Sequence, residues 1–486
     1  MSVVEGQSAE YYPIYVAGKF TSTAQHLDVV SPYSGQCVYR TCLAGDAEFE
    51  EAVSAACAVR RTLRDLPVYR RWQILMEVSE ALHDQRQELA LIMAREAAKP
   101  LKTALGEVDR AVQTFLIAAE EARRLPGELL SIDWTEAGAN KDAVVKYFPV
   151  GLVAGISPFN FPLNLVAHKI APAIAAGCPM ILKPASKTPI SALRLAQIID
   201  RTVLPKGALS ILPMDRTTGN RLVTDERFAL LSFTGSPAVG WQMKQQSGRK
   251  KIVLELGGNA GLIIDRDADI GSAAAKAVPG AFAFAGQSCI HTQRIIVHDA
   301  VFDAFMERFT GKLAGMKIGD PEQPDTDFSV LIDHDNARRI ELWVEEARQQ
   351  GATIVAGGTR EGGLYAPTVL TNTSREMKVC SREAFAPIVV IERYHDFREA
   401  VAAINDSDFG LQAGVFTYDY RRIHYAFRNL EVGGVLINEV PTFRADHMPY
   451  GGIKDSGLGR EGPKYAIQDM LEARVMVIDH GTVNKF

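Results

Sequence analysis

Apolar and polar positions follow three different rhythms along this chain. From about residue 46 to 124 apolar residues recur at helical spacing, as at Ile74, Leu75, Val78 and Leu82, which predicts helices over 46–64, 69–98 and 101–124. Pro126 and Gly127 end that pattern, and 128–148 is polar with short alternating runs. From Gly151 short apolar runs take over (GLVAGIS, PMILKP, GALSILP, FALLSF), separated by helical stretches starting at Pro162, Ser191 and near Thr217. Short buried strands alternating with helices predict a parallel sheet covered on both faces. Residues 259–434 repeat the theme with VFDAFMERFTGKL, ARRIELWVEEARQQG, ATIVAGG and PIVVIERY, and the tail ARVMVIDH from Ala473 is again strand-like. The expected fold class is α/β, with two parallel-sheet units.

Composition narrows the function classes. A chain of 486 residues accommodates about three domains, and 53 basic against 58 acidic residues, net charge -5, argue against a nucleic-acid or anionic-membrane surface. The six cysteines form no CxxC pair and no metal spacing, so they read as reduced thiols. The start, MSVVEGQSAEYYP, lacks a basic region followed by an apolar core, so no secretory signal is expected and the cytoplasm is the expected compartment. The most apolar stretch, 163–182, is interrupted by His168, Lys169, Pro172 and Pro179, which is incompatible with a membrane span.

Three runs carry candidate chemistry. FAFAGQSCIHTQR (282–294) places Cys289 among small neighbours that leave room for a carbonyl to approach a thiolate. VLELGGNAG (253–261) puts Glu255 inside an apolar strand-like run, where burial raises a carboxyl pKa toward that of a working base. GISPFNFPLN (155–164) holds Asn160 on a turn flanked by Pro158 and Pro162, a fixed amide donor for a developing oxyanion. A cofactor-free thiol hydrolase is the competing class; it needs a histidine on Cys289, and His291 is near in sequence.

With PFNFP, LELGGN and GQSC in this order, the chain resembles the NAD(P)-dependent aldehyde dehydrogenases, from SPYSGQ near Ser31 to YGGIKDSGLGREG ending at Gly462. The resemblance implies a Rossmann-like cofactor domain at 1–127 and 150–254, a catalytic domain at 255–434, a substrate-side loop at 435–466, and an oligomerisation arm from 128–149 and 467–486. It implies a homodimer or homotetramer acting on a small aldehyde. Cys289 is the implied nucleophile, Asn160 the oxyanion donor, Glu255 the base that activates water, and Lys169 its support. Acyl transfer to coenzyme A would need no such base, so Glu255 favours hydrolysis.

For the cofactor, FTGSPAVG (233–240) offers a glycine turn opening a helix, a place for a pyrophosphate; the resemblance assigns Ser157, Gly235, Ser236 and Gly240 here. Lys183 in LKPAS closes a strand at a sheet's carboxyl end, within reach of ribose hydroxyls. Relatives that prefer NAD often carry Glu where this chain has Ser186, so NADP is expected to be accepted alongside NAD. REAFAPIVV resembles the family's EIFGP run, giving Glu383 and Phe385 to the nicotinamide ribose and ring, with Ala386 in place of the usual glycine.

For the substrate, Phe161, Asn164 and His168 join Asn160, and a helix beginning just after Asn160 would put Asn160, Asn164 and His168 on one face. Arg110 on the third helix and Arg444 on the loop 437–452 are expected to converge on an anion; pairing of Arg444 with Asp446 or Asp455 is the alternative. Ser288 stands where some anion-selective relatives add a basic residue. The expected substrate is a short polar aldehyde, a carboxylate-bearing semialdehyde first and a hydroxyaldehyde second.

Overall fold

Amphipathic helices build the first layer of the molecule, and the computed structural model describes them within residues 9–481; most of the stretch read for a leader thus lies outside the described residues. The helices are Asp46–Asp65, Val68–Asp84, Arg86–Ala97 and Leu101–Ala122. The expected helix over 69–98 is therefore two. Gln85, at φ -99° and ψ 18°, ends one and starts the next. Buried Leu82 and Leu89 are two helical turns apart, so the apolar stripe runs through the break unaltered.

An eight-stranded sheet lies beneath. Its order is Gly457–Leu458, Lys251–Glu255, Phe228–Thr234, Leu152–Ile156, Met180–Lys183, Leu209–Ile211, Ile14–Val16 and Lys19–Thr21. The five strands from Lys251–Glu255 to Leu209–Ile211 run parallel. Because the chain moves outward from Leu152–Ile156 on one side and returns to Phe228–Thr234 on the other, the order reverses between these two strands. Their carboxyl ends, at Ile156 and Thr234, flank the crevice where open α/β sheets bind ligands.

The second sheet has seven strands, ordered Thr353–Ala356, Thr368–Thr371, Ile388–Tyr394, Thr292–His298, Ala260–Ile264, Gln412–Phe416 and Gly434–Ile437, all parallel except the first. Its last strand carries this unit just past residue 434. The segment leading into Thr292–His298 bears Cys289, and the turn leading into Ala260–Ile264 bears Gly257 and Gly258, so this sheet presents its amino ends to the crevice.

Gly127–Ser131, Lys141–Pro149 and Leu471–Asp479 form a separate antiparallel sheet, the last two paired from Leu471 opposite Pro149 to Asp479 opposite Lys141. Leu129, Trp134, Val475 and Met476 on this unit are all exposed, Trp134 by 88%. Among the described residues no helix is long and apolar enough to cross a membrane, and no cluster of metal-ligating side chains occurs.

Candidate active site

Cys289 follows a turn in which Phe284, Ala285 and Gly286 are all left-handed, with φ of 50°, 55° and 67°. Two non-glycine residues in that region are costly locally and are held by their surroundings. Gly286 is required here, since a Cβ on it would lie 2.3 Å from the Ala386 carbonyl oxygen. On the other side a Cβ on Gly258 would lie 2.2 Å from the Cys289 carbonyl oxygen, so LELGGN lets the Cys289 segment approach closely. Sγ of Cys289 is 3.0 Å from the Tyr450 hydroxyl. Burial pushes the thiol up to about 12, with the Tyr450 hydrogen bond acting in the opposite direction. His291 lines the same cavity, yet its ring does not bond Sγ, and burial holds it neutral, at about 4. The histidine–thiol pair that a cofactor-free hydrolase requires is not formed.

Asn160 donates one amide hydrogen to the Gln287 carbonyl at 3.0 Å, which leaves the other toward the cavity. Its own carbonyl accepts from Lys99 Nζ at 2.6 Å. Lys99 is fully buried against Glu107, whose other oxygen accepts the N–H groups of Leu163 and Asn164 at 2.9 and 3.0 Å. This ion pair therefore grips both ends of the PFNFPLN turn. It also corrects the expected helix start: the helix is Asn164–Ala176, and the Asn164 N–H that would bond the Asn160 carbonyl goes to Glu107 instead. Only Asn164 and His168 share the face; Asn160 precedes it.

Glu255 ends its strand 3% exposed, and among the described residues neither carboxylate oxygen has a hydrogen-bond partner. Burial, and then the charge of Glu461, hold it well above the usual carboxyl range. Glu461 goes the other way despite its burial, because Arg444 and Lys169 stabilise its charge. Arg444 Nη2 donates to Glu461 at 3.0 Å, and its guanidinium carbon lies 3.8 Å from the Tyr450 ring centre. Lys169 donates to Thr234 at 2.7 Å and Ser232 at 3.1 Å and stands 3.6 Å from Glu461. Lys169 thus acts on Glu255 by its charge, drawing the carboxyl down, rather than by a hydrogen bond.

On the substrate side Asp446 is the hub. It accepts both forks of Arg110, at 2.8 and 3.1 Å, together with Asn164 Nδ2 at 3.2 Å and His168 Nε2 at 2.8 Å. Neither expected partner of Arg444 is used, since Glu461 takes it and Asp446 takes Arg110. Arg110, Phe161, Asn164 and Arg444 line one cavity of about 890 Å³ with Cys289, Glu255 and Asn160; His168 lies behind it.

The same cavity reaches Gly235, Ser236, Glu383 and Phe385. Glu383 accepts the Gly258 N–H at 3.0 Å and sits so close to Gly257 that a Cβ there would be 2.3 Å from its oxygen. Burial lifts this carboxyl to about 7. The left-handed residue of REAFAP is Phe385, at φ 46°, while Ala386 is buried and needs no positive φ. Lys183 and Ser186 line a second cavity of about 640 Å³ beside Arg216, Asn220 and Gln246. Among the described residues Lys183 Nζ bonds only the adjacent Pro184 carbonyl, at 3.3 Å. Ser157 ties its N–H to the Lys183 carbonyl at 3.1 Å, and Gly240 faces Leu256, where a Cβ would meet Cδ2 at 2.4 Å, so both shape the strand and helix ends rather than the cavity wall. The ammonium of Lys183 thus faces the second cavity and the recessed carboxylate of Glu383 the first.

The model of the aldehyde dehydrogenase family matches residues 20–476. The chain belongs to the aldehyde dehydrogenase family. As an aldehyde dehydrogenase it oxidises an aldehyde to the carboxylic acid with NAD or NADP. It is 42% identical over 470 residues to a 3-sulfolactaldehyde dehydrogenase of Priestia megaterium, covering 96% of this chain and 98% of that one. Among solved structures, aldehyde dehydrogenase 21 of Physcomitrella patens, in complex with its reaction product succinate, is 42% identical with a TM-score of 0.96, over 99% of this chain and 100% of that one. A glyceraldehyde-3-phosphate dehydrogenase of Methanocaldococcus jannaschii complexed with NADP is 36% identical with a TM-score of 0.89, over 93% and 99%.

Four residues of this dehydrogenase's site were not singled out from the sequence: Lys99, Glu107, Tyr450 and Glu461. Glu107 had a signal, because it falls on the helix face of Ala104, Val108, Ala111 and Phe115, where an acid must be buried and paired. Glu461 and Tyr450 lie in a glycine-rich loop with no period to mark them.

Proposed function

We propose that this aldehyde dehydrogenase oxidises a short aldehyde carrying a carboxylate. The observation that carries this reading is that Arg110 and Arg444 line the cavity onto which Cys289 opens. Arg110 is paired with Asp446 and Arg444 with Glu461, and Glu255 beside them is held toward its neutral form, so a substrate carboxylate would meet two guanidiniums without an opposing charge from Glu255.

In this reading the Cys289 thiolate attacks the aldehyde carbon, and the free amide hydrogen of Asn160 with a backbone N–H near Cys289 receives the developing oxyanion. NAD or NADP, when bound, supplies the acceptor for the aldehyde hydride. Glu383 and Phe385 would hold the nicotinamide end, Lys183 and Ser186 the adenosine end, with Gly235 and Ser236 at the pyrophosphate. Glu255 then draws a proton from the water that cleaves the Cys289 thioester. The eight-stranded sheet with its helices would be the cofactor domain and the seven-stranded sheet the catalytic one.

The test is the rate of reduced-cofactor formation with succinic semialdehyde, lactaldehyde and propanal, each with NAD and NADP. The expected order places the semialdehyde first by kcat/KM; preference for propanal would return both arginines to structural roles. Lactaldehyde first would favour the second reading, a hydroxyaldehyde dehydrogenase, for which the resident partners of both arginines speak. Serine at 186 offers no charge against a 2′-phosphate and Arg216 lines the same cavity, so NADP is expected to be used. Ser186→Glu should shift the NADP to NAD ratio of kcat/KM toward NAD by roughly tenfold or more, about 1.4 kcal/mol; an unchanged ratio would remove Ser186 from cofactor selection.

We also infer that the exposed three-stranded unit pairs with a second copy in a cytoplasmic homodimer or homotetramer. Its edge strands and exposed Leu129, Trp134, Val475 and Met476 are otherwise left to water, and all six cysteines are free thiols. Sedimentation equilibrium should report a multiple of the chain mass, falling to one chain when Val475 and Met476 are changed to Asp; a monomeric wild type would end this inference.

A further inference from the structure

Tyr450 contacts the nucleophile, yet packing alone does not account for its hydroxyl. The ring lies with Ile290 and Leu411 in a small buried apolar group against Cys289, a place that phenylalanine would fill equally well. The hydroxyl points at Sγ at 3.0 Å, and no other side-chain hydrogen bond to Sγ is present among the described residues. The tyrosine is also firmly held. Its backbone exchanges hydrogen bonds with Glu461, N–H to carbonyl at 3.0 Å and carbonyl from N–H at 2.6 Å. Arg444 closes the arrangement from above, lying over the ring while its Nη2 binds the Glu461 carboxylate.

We propose that the Tyr450 hydroxyl is a catalytic group of this enzyme, donating a hydrogen bond to Sγ of Cys289 when the thiol has lost its proton and so stabilising the attacking thiolate. The proposal rests on Cys289 being the nucleophile. In the step itself the S–H bond breaks, its electron pair stays on sulfur and the proton passes to water in the cavity; the phenol keeps its own proton throughout. That last condition is met, because burial holds the Tyr450 phenol well above its ordinary range, so it serves as donor and not as base. The other charged groups acting on Sγ are Glu383 and Glu255, which oppose the thiolate, and Arg444, which favours it. Glu255 makes no hydrogen bond to Sγ, and His291 is uncharged. With two carboxyls nearby and a recessed cavity, a donor on sulfur is the missing stabilisation. Charge-assisted hydrogen bonds are about twice as strong as neutral ones, so this bond strengthens as the thiolate forms.

The arrangement also links recognition to reactivity. Arg444 faces the substrate cavity and lies on the ring that carries the donor, so the residue proposed to meet the substrate anion is the one that steadies the nucleophile's partner.

The experiment is the pH dependence of Cys289 alkylation by iodoacetamide in the cofactor-free enzyme, with the modified peptide identified by mass, in wild type, Tyr450→Phe and a variant carrying 3,5-difluorotyrosine at 450. Phenylalanine keeps the ring under Arg444, and the fluorinated phenol is a stronger donor. The midpoint is expected to rise by about one pH unit in Tyr450→Phe, a factor of about ten in thiolate at neutral pH, and to fall in the fluorinated variant. The pre-steady-state burst should slow by a similar factor in Tyr450→Phe while KM for the aldehyde stays within about twofold. A midpoint unmoved in both variants overturns the proposal and leaves Tyr450 a packing residue. Failure of the underlying reading has a separate sign, since Cys289→Ala would then keep turnover.

Discussion

Glu255→Gln is expected to complete one turnover per site and then stall. Mixed rapidly with aldehyde and oxidised cofactor, the variant should give a burst of reduced cofactor close to one equivalent per subunit, with a steady-state rate lower by roughly a hundred- to ten-thousand-fold, the usual range for loss of a general base. The reason is geometric. Among the described residues neither carboxylate oxygen of Glu255 bonds Cys289 or any other group, so the first half of the reaction is not expected to lean on it, whereas hydrolysis of the thioester needs a proton acceptor. The amide is isosteric and places no new charge beside Glu461. The wild type should also show turnover rising with pH through the ionisation of Glu255, displaced above the range of an ordinary glutamate because burial and the charge of Glu461 disfavour its carboxylate form. The Gln variant should lack that limb. Equal loss of burst and steady state would contradict the assignment.

The second large effect is expected from Arg444→Ala. Truncating one partner of a buried, hydrogen-bonded ion pair costs about 2–5 kcal/mol, much of it from the partner left behind. Here that partner is Glu461, which would keep Lys169 at 3.6 Å and the Thr234 hydroxyl at 3.3 Å, so every substrate should lose some activity. The clamp is read from the difference between substrates. For succinic semialdehyde kcat/KM should fall by on the order of a hundredfold more than for butanal, about 2.7 kcal/mol, with most of the difference in KM. If both aldehydes fall by the same factor, Arg444 serves Glu461 and Tyr450 alone and the anion site must be sought at Arg110.

That Cys289, Glu255 and Asn160 share one cavity was legible because these candidate groups are carried on short runs whose local context is unusual: an acid inside an apolar strand, an amide between prolines, a thiol among small residues. The alternation of strands and helices was equally legible, since burial imposes it along the chain. The partnerships were not. Arg110 and Arg444 are expected to converge on an anion, with Asp446 or Asp455 as the alternative partner of Arg444, but Arg110 holds Asp446 on a loop more than 300 positions later and Arg444 holds Glu461 within its own glycine-rich loop. The break at Gln85 was hidden because the apolar stripe keeps its phase across it. The start of the helix at Asn164 was misplaced because its first N–H groups are capped from another helix, by Glu107.

The bare glycines around Cys289 bear on how such an enzyme changes its substrate over evolutionary time. Gly258 abuts the nucleophile's own carbonyl and Gly286 abuts that of Ala386, and neither position has room for a single added carbon. Those two positions therefore admit no larger side chain without a backbone shift, whereas Phe161 and Thr442 line the cavity from other elements. Variation in the shape of this pocket is expected to enter through such wall positions before it enters beneath Cys289.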